Sequence, residues 1–369
     1  MQLLVTGSEG FLGKNLLAQL KNEGFNDINT HNSSNTDKEL ESSVKSADFI
    51  FHLAGVNRTQ NTDDFYKGNG TLTKKIIAIL EKNNLKTPIL LSSSIQAGLE
   101  NDYGKSKKEA ETTVFEYSSN TGTKVHVYRL KNLFGKWSKP NYNSVVATFC
   151  YNLSRNIPLQ VNDPSAELDL CYVDDVIASF LSSLKDDSKR EGKYSIVETS
   201  YQITLGKLSE KLQGFHDNRE TLVMPSLKEQ FDCDLYATYL SYLPEDEFSY
   251  FLKKNTDERG WLSEFIKSKD NGQIFISTTK PGITRGNHWH NTKVEKFLVI
   301  RGSGRLQFRN VNNDEIIEYF VDGEKPEVVD IPAGYTHNIS NVGTNEMITL
   351  FWASEIFNQK KPDTYYEGV

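Results

Sequence analysis

The chain changes texture once along its length. Its first part sets short apolar runs between amphipathic stretches, and its last part alternates apolar and polar residues. The opening MQLLVT is apolar, short and closed by a glycine loop, so it predicts a buried strand. KNLLAQLKNEG follows with its apolar residues on one side of a 3.6-residue period and predicts a helix. ADFIFHLAGVN, from Ala47, and TPILLSSSIQAG, from Thr87, predict further buried strands ending in small residues. Short strands and helices alternate from Leu181 to Phe248. After Gly272 the runs QIFISTTKPG, KFLVIRGSGRLQFRN, EIIEYFVDG, EVVDIPAG and MITLFWASE alternate with period two between Gly, Asn and Pro turns. That pattern predicts an all-β jelly-roll barrel. The expected organisation is an α/β domain over 1–245, a linker with an aromatic-bearing helix over 246–271, and the barrel over 272–369. The polar tail KKPDTYYEGV is left open between an ordered arm and a loose end.

Composition narrows the function classes. A chain of 369 residues exceeds one average domain and fits two. Charged residues are 25% and hydrophobic ones 37%, as in soluble globular proteins. A net charge of −7 disfavours nucleic acid as a partner. Cys150, Cys171 and Cys233 are odd in number and form no CxxC, which fits a reduced compartment. No apolar run approaches the ~18 residues of a membrane span. The N-terminus runs into a strand without a basic n-region, so no signal peptide is expected. These features lead to the expectation of a cytoplasmic enzyme with no membrane partner.

The first strand is followed by GSEGFLG, with Gly7, Gly10 and Gly13 spaced G-x2-G-x2-G. Gly7 permits the tight turn, Gly10 a close backbone approach to a pyrophosphate, and Gly13 helix–sheet packing. The helix that starts there offers free N–H groups to phosphates. Ala54 and Gly55 end the third strand beside that place. The second strand ends in His31, Asn32, Ser33 and Ser34, without the acid that would hold a ribose 2′-hydroxyl. Such donors tolerate a 2′-phosphate, and Arg58 adds a cation, so NADPH is the expected cofactor. NDYGKSKKEAE places Tyr103 and Lys107 four apart on one helix face, after a strand tipped by Ser92, Ser93 and Ser94. A Lys107 ammonium beside Tyr103 is expected to lower the phenol pKa and make it an acid or base near neutrality.

TGSEGFLG, HLAG, SSS, YGKSK, RLKNLFG and CYVDDV resemble the extended short-chain dehydrogenase/reductases that act on nucleotide sugars, over roughly residues 1–245. The resemblance implies a Rossmann-like fold and a catalytic triad of Ser94, Tyr103 and Lys107, with Asn132 and Asp174 nearby. Tyr103 would give its proton to a ketone oxygen as hydride arrives from nicotinamide, and Lys107 would also bind the ribose. It further implies that Ser8, Phe11, Leu12 and Leu53 line the dinucleotide with Gly7, Gly10, Gly13, Ala54 and Gly55. Two departures stand out. The stretch from Ser94 to Tyr103 is short, and Leu168 replaces a usual arginine, so the sugar pocket is expected to differ.

The barrel carries its own chemistry. His288 and His290 are two apart, with Glu295 five later and His337 in PAGYTHNISN downstream. Residues i and i+2 of a strand point to one face, so the two histidines aim together. Three imidazoles and a carboxylate inside a barrel suit a divalent transition metal. Gly282, His288, His290, Glu295 and Gly302, then Pro332, Gly334, His337 and Asn341, resemble the two signature motifs of the cupins. Pro326 stands where a glycine is usual. The resemblance implies a zinc cupin, with Lys296 and Tyr335 as further candidates near the metal.

Reductase first and zinc cupin second, the whole chain resembles a family of bifunctional enzymes of bacterial capsular polysaccharide synthesis. It implies a homodimer acting on a UDP-linked 4-keto-6-deoxy-N-acetylhexosamine. The cupin would epimerise C3 and the reductase would reduce the C4 ketone with NADPH, giving UDP-N-acetyl-6-deoxy-L-talosamine on the path to N-acetyl-L-fucosamine. Protons on the carbons flanking a ketone are acidic, and reduction removes that acidity and locks the new configuration. Two alternatives stay open: a plain keto-sugar reductase with a structural zinc barrel, and a reductase fused to an Fe(II) dioxygenase.

Overall fold

Leu3, Leu4, Val5 and Thr6 are all fully buried, because β1 (Leu3–Thr6) lies between two parallel neighbours with helices over both faces. The computed structural model describes residues 1–369. The chain continues through α1 (Phe11–Asn22), β2 (Ile28–His31), α2 (Asp37–Ser46) and β3 (Phe49–His52). It then forms α3 (Asp63–Phe65), a π-helical turn over Tyr66–Thr71, and α4 (Leu72–Lys82). β4 (Ile89–Ser94), α5 (Asp102–Thr121) and β5 (Val125–Leu130) follow. Next come β6 (Asn132–Phe134), α6 (Val145–Leu153), β7 (Glu167–Tyr172) and α7 (Val173–Leu184). The short strands β8 (Arg190–Glu191), β9 (Tyr194–Ser195) and β10 (Tyr201–Thr204) and the helices α8 (Leu205–Thr221) and α9 (Gln230–Leu240) end this half.

The main sheet has the order β2-β1-β3-β4-β5-β9-β8, parallel up to β9. Its order reverses between β1 and β3, the switch point where open α/β sheets leave a crevice at their strand ends. One core layer joins Leu3, Val5, Leu16 and Leu20 to Phe180, and the other joins Leu4, Ile50 and Leu91 to Val114 and Tyr117. The Rossmann-like class read from the sequence is therefore present.

The second half is antiparallel. β11 (Asn255–Asp257), β12 (Gly260–Ser268), β13 (Gly272–Thr279), β14 (Thr284–Trp289) and β15 (Glu295–Arg301) are followed by β16 (Ser303–Asn310), β17 (Ile316–Asp322) and β18 (Val328–Ile331). β19 (Tyr335–Asn341), β20 (Met347–Ala353) and β21 (Tyr365–Tyr366) complete it. One sheet runs β11-β12-β13-β20-β15-β18 and the other β17-β16-β19-β14-β21. Phe297, Val299, Leu306, Phe308, Ile339 and Phe351 fill the space they enclose.

Two expectations about the join are corrected. No aromatic-bearing helix occupies 246–271. Beyond a short turn at Glu245–Glu247, that stretch supplies β11 and β12, so the barrel begins before residue 272. Alternation in GWLSEFIKS is masked by a bulge between Glu264 and Ile266, which is why it does not read as a strand. Residues 214–228 also belong to the compact unit of the barrel, while 229–244 return to the α/β unit. Within the barrel unit, Met224 N–H donates to Lys267 O at 2.7 Å, and Lys267 N–H donates to Leu222 O at 2.8 Å. The tail is an ordered arm, since β21 pairs with β14.

Candidate functional site

In the α/β unit the glycine turn is built by close approach of backbone to backbone. Gly7 sits at φ +70°. A Cβ there would meet the Ala54 backbone at 2.7 Å, and one on Gly13 would meet Gly7 O at 2.2 Å. α1 starts on Gly10 without a side-chain cap, so its first N–H groups and its positive dipole end serve the space over the turn.

Gly7 N–H donates to His31 O at 2.8 Å and so brings the end of β2 alongside. His31 is buried, and burial lowers its pKa. Asn32 Nδ2 donates to Glu9 Oε1 at 2.9 Å, and Asn32 Oδ1 accepts from Ser34 N–H and Oγ–H at 2.9 and 2.6 Å. An acid is thus present here, on the glycine turn instead of β2, and an Asn side chain already engages it. Arg58 is placed differently from its expected role. Its guanidinium donates to Tyr142 O at 2.9 Å, and no hydrogen bond joins it to His31–Ser34.

Lys107 is buried, and its Nζ donates to Ser92 O at 3.1 Å. A Cβ on Gly55 would lie 2.9 Å from that Nζ, so the glycine also keeps the lysine's place open. Burial lowers the Lys107 pKa to about 8, with Glu111 opposing. Tyr103 OH donates to Asn57 Oδ1 at 3.2 Å. Burial raises the Tyr103 phenol above its ordinary value, against a smaller lowering from Ser94. This reverses the sequence expectation. The Lys107 ammonium lies 6.0 Å from the Tyr103 ring centroid and bonds a carbonyl, so desolvation of the phenol prevails.

Sequence reasoning missed Asn57 and Asn69. Asn69 is buried in the π-helical turn, where its Oδ1 accepts from Val56 N–H at 3.0 Å. Its Nδ2 donates to Val56 O at 3.1 Å and to Ser106 Oγ at 2.9 Å. It clips the loop carrying Asn57 to the helix carrying Tyr103. A single buried amide leaves no periodic trace in a sequence. Ser93 Oγ–H donates to Glu111 at 2.6 Å, and Arg129 grips the same carboxylate at 2.9 and 2.7 Å, which steadies the tip of β4 beside Ser94. Of the flanking residues, Asn132 is exposed and Asp174 accepts from Lys136 Nζ at 2.6 Å.

In the barrel, His288, His290, Glu295 and His337 converge, with their ligand atoms all within 4.8 Å of one another. His288 and His337 face each other across the β14–β19 ladder, just past a bulge at Asn287 that re-aims the strand. Glu295 opens β15 in the other sheet, so both sheets contribute to one interior point. His290 and His337 are each 1% exposed and Glu295 is 7% exposed, while His288 is only partly buried and forms the open side of the cluster. Glu295 Oε2 lies 3.4 Å from His290 Nε2 and 3.6 Å from His337 Nε2.

Neither Nε2 has a hydrogen-bond partner. His290 Nδ1 bonds Asp363 O at 2.5 Å, and His337 Nδ1 bonds Tyr335 O at 3.3 Å. A carbonyl only accepts, so Nδ1 of each ring is the donor there, and each Nε2 is turned toward Glu295. Burial, then His337 and His290, hold His288 near 4, so it is neutral at physiological pH. Unpartnered imidazole nitrogens and a carboxylate facing one another fit a divalent cation in chemistry and number.

Of the two outlying candidates, Tyr335 packs against the barrel core. Lys296 is exposed and pairs with Asp330, because the residue after an inward Glu295 points outward. The inward lysine is Lys293, 8% exposed, with Nζ 3.9 Å from Glu295 Oε1.

Residues 3–197 match the NAD dependent epimerase/dehydratase family, and residues 255–365 match the polysaccharide biosynthesis C-terminal domain. A Pseudomonas aeruginosa protein described as UDP-2-acetamido-2,6-beta-L-arabino-hexul-4-ose reductase is 44% identical, over 99% of this chain and 98% of its own. The crystal structure of the capsular polysaccharide assembling protein CapF from Staphylococcus aureus superposes with a TM-score of 0.94 at 48% identity, covering 100% of both chains. A Thermotoga maritima UDP-glucose 4-epimerase, 18% identical with a TM-score of 0.54 over 66% of this chain and 98% of its own, shares the fold of the first half. With a reductase-type nucleotide fold followed by a histidine-lined β-domain, matched end to end at this identity, the chain belongs to the CapF family of the NAD dependent epimerase/dehydratases.

Proposed function

We propose that the chain is a two-step nucleotide-sugar enzyme of capsular polysaccharide synthesis. Its barrel epimerises C3 of a UDP-linked 4-keto-6-deoxy-N-acetylhexosamine, and its α/β unit reduces the C4 ketone to UDP-N-acetyl-6-deoxy-L-talosamine. The family supports a nucleotide-sugar oxidoreductase with a nicotinamide cofactor. The observation that carries the second activity is the cluster of His288, His290, Glu295 and His337, with two unpartnered imidazole nitrogens and a partly exposed His288.

In the reductive step Ser94 and Tyr103 hold the ketone oxygen. The raised Tyr103 pKa keeps the phenol protonated at neutral pH, which suits an acid that gives its proton to that oxygen. Lys107, fixed by Ser92 O, holds the ribose and maintains positive charge next to the phenol. Gly7, Ser8, Gly10, Phe11, Leu12 and Gly13 would cradle the pyrophosphate, with Leu53, Ala54 and Gly55 beside it. Bound NADPH would supply the hydride; what supports the 2′-phosphate form is that β2 itself ends without an acid, His31 being followed by Asn32, Ser33 and Ser34, and that Glu9 is already bonded by Asn32. In the barrel His288, His290, Glu295 and His337 would hold zinc, whose chemistry when bound is Lewis-acid polarisation of the ketone. Lys293 is the inward basic group available to move the C3 proton.

A homodimer is part of this reading. β17 is an edge strand whose Ile316 and Phe320, on one face, are 51% and 69% exposed, a face that suits burial by a second copy. The free thiols Cys150, Cys171 and Cys233 suit a reducing, cytoplasmic setting. No helix is long and apolar enough to cross a membrane.

The competing reading is a reductase with a structural zinc. The complete four-residue ligand set favours it, since structural sites are closed. The test is to incubate the full chain with the 4-keto sugar and NADPH or NADH, then read the product configuration at C3 and C4. Inversion at C3 with reduction at C4, faster with NADPH, is the expected result. Reduction with C3 unchanged would refute the two-step reading.

A further inference from the structure

The barrel's C-terminal arm makes a set of contacts that the proposed chemistry does not use. Asp363 stands at their centre. Its carboxylate accepts three consecutive backbone N–H groups, from Asn291 at 2.9 Å, Thr292 at 2.7 Å and Lys293 at 2.8 Å. Thr292 Oγ–H adds a fourth bond at 3.0 Å. The main-chain carbonyl of the same residue accepts from His290 Nδ1 at 2.5 Å. Residues 291–293 are part of the link between His290 and Glu295, so one aspartate grips both a ligand ring and the loop leading to the next ligand.

The rest of the arm repeats the theme. Thr364 Oγ accepts from Lys293 Nζ at 3.2 Å. Tyr365 and Tyr366 pair with Trp289 and His288 on β14, with the Tyr365 ring stacked on Trp289 at 4.7 Å. Glu367 N–H donates to Asn287 O at 3.0 Å, and Glu367 also accepts from Arg309 Nη2 at 2.7 Å. The arm therefore holds the bulge before His288, the ring of His290 and the turn before Glu295.

We propose that the Asp363 side chain is a positioning group of the metal centre: its carboxylate clamps the 291–293 loop, which sets the Asp363 main-chain O against His290 Nδ1, so that Nε2 of His290 and the Glu295 carboxylate meet one ion. This rests on the reading of the cluster as a metal site. The physical argument is twofold. A metal-bound imidazole needs its other N–H held by an acceptor, here the Asp363 main-chain O, whose place against His290 depends on the carboxylate's hold on 291–293; loosening such an outer contact costs metal affinity roughly 10- to 100-fold. Three parallel N–H groups also form a concave anion site that a carboxylate fills and an alanine leaves vacant.

The test uses the full chain as wild type, Asp363→Ala and Asp363→Asn, each stripped of metal. Zinc alone is titrated against a competing chelator. Cobalt(II) is bound separately as a visible-spectrum probe of ligand geometry. Wild type is expected to take one zinc, Asp363→Ala to bind it roughly 10- to 100-fold more weakly with shifted cobalt bands, and Asp363→Asn to fall between. Wild type that fails to bind zinc would overturn the metal reading and this proposal with it. Tight binding by wild type, matched within twofold by Asp363→Ala with an unchanged cobalt spectrum, would overturn the positioning role alone. Should Asp363→Ala not fold, the isosteric Asp363→Asn carries both readouts, and wild-type values there would overturn the proposal equally.

Discussion

The two sites treat their buried polar atoms in opposite ways. In the α/β unit the buried Lys107 ammonium already has a partner in Ser92 O, and the Tyr103 hydroxyl has one in Asn57. In the barrel His290 Nε2 and His337 Nε2 have none. A site for an exchanging organic cofactor must stand stably without it, so the protein satisfies its own charges and shapes the cradle with glycine. A site for an ion keeps lone pairs free and fixes them from behind, through Asp363 O and Tyr335 O. Two chemistries built this way should break separately.

The largest separation should come from Tyr103→Phe. It removes the proton donor and is expected to lower ketone reduction roughly 10²- to 10⁴-fold, with solvent exchange at C3 untouched. Parallel loss of both activities would mean that one site serves both. Next is Gly13→Ala. Its Cβ would fall 2.2 Å from Gly7 O, and such overpacking costs roughly 1–3 kcal/mol. Nicotinamide affinity, measured by fluorescence titration, should fall about 10- to 100-fold if that cost is expressed in the cradle, and zinc content should stay unchanged.

A smaller effect sharpens the contrast by pH. Lys107 is a base lowered by burial to about 8 from 10.5, so it carries its charge below about 8 and loses it above. Tyr103 is shifted upward and keeps its proton across that window. kcat/KM for reduction should be level at neutral pH and fall as pH rises through about 8. A profile that stays level well above that pH would show that the Lys107 charge does not support the Tyr103 phenol. The smallest effect belongs to Lys296→Ala. That side chain is exposed and paired only with Asp330, so C3 exchange and stability should barely move, within about 0.5 kcal/mol. Lys293→Ala, in the buried position beside Glu295, should lower the exchange rate.

What is legible in the sequence follows the same division. His288, His290, Glu295 and His337 are readable because ligand types at fixed spacings are positive signals. The glycine turn is readable because Gly7 and Gly13 are required where backbones touch. Asn57, Asn69 and Asp363 are not legible, since each matters through a long-range contact that no local period encodes. Proximity to Glu295 along the chain favours Lys296, and only strand parity turns the choice to Lys293. β12 does not read as a strand because its bulge breaks the alternation. The direction of the Tyr103 shift depends on burial and on the 6.0 Å offset of Lys107, neither of which a four-residue spacing contains.

The most direct test of the central claim is proton NMR of the full chain with the UDP-4-keto-6-deoxy-N-acetylhexosamine in D2O, first without nicotinamide and then with NADPH. Deuterium should enter C3 before NADPH is added, and His290→Ala should abolish that entry while still reducing the ketone. Rapid NADPH oxidation with no prior exchange at C3 would contradict the account and leave a reductase carrying a structural metal barrel.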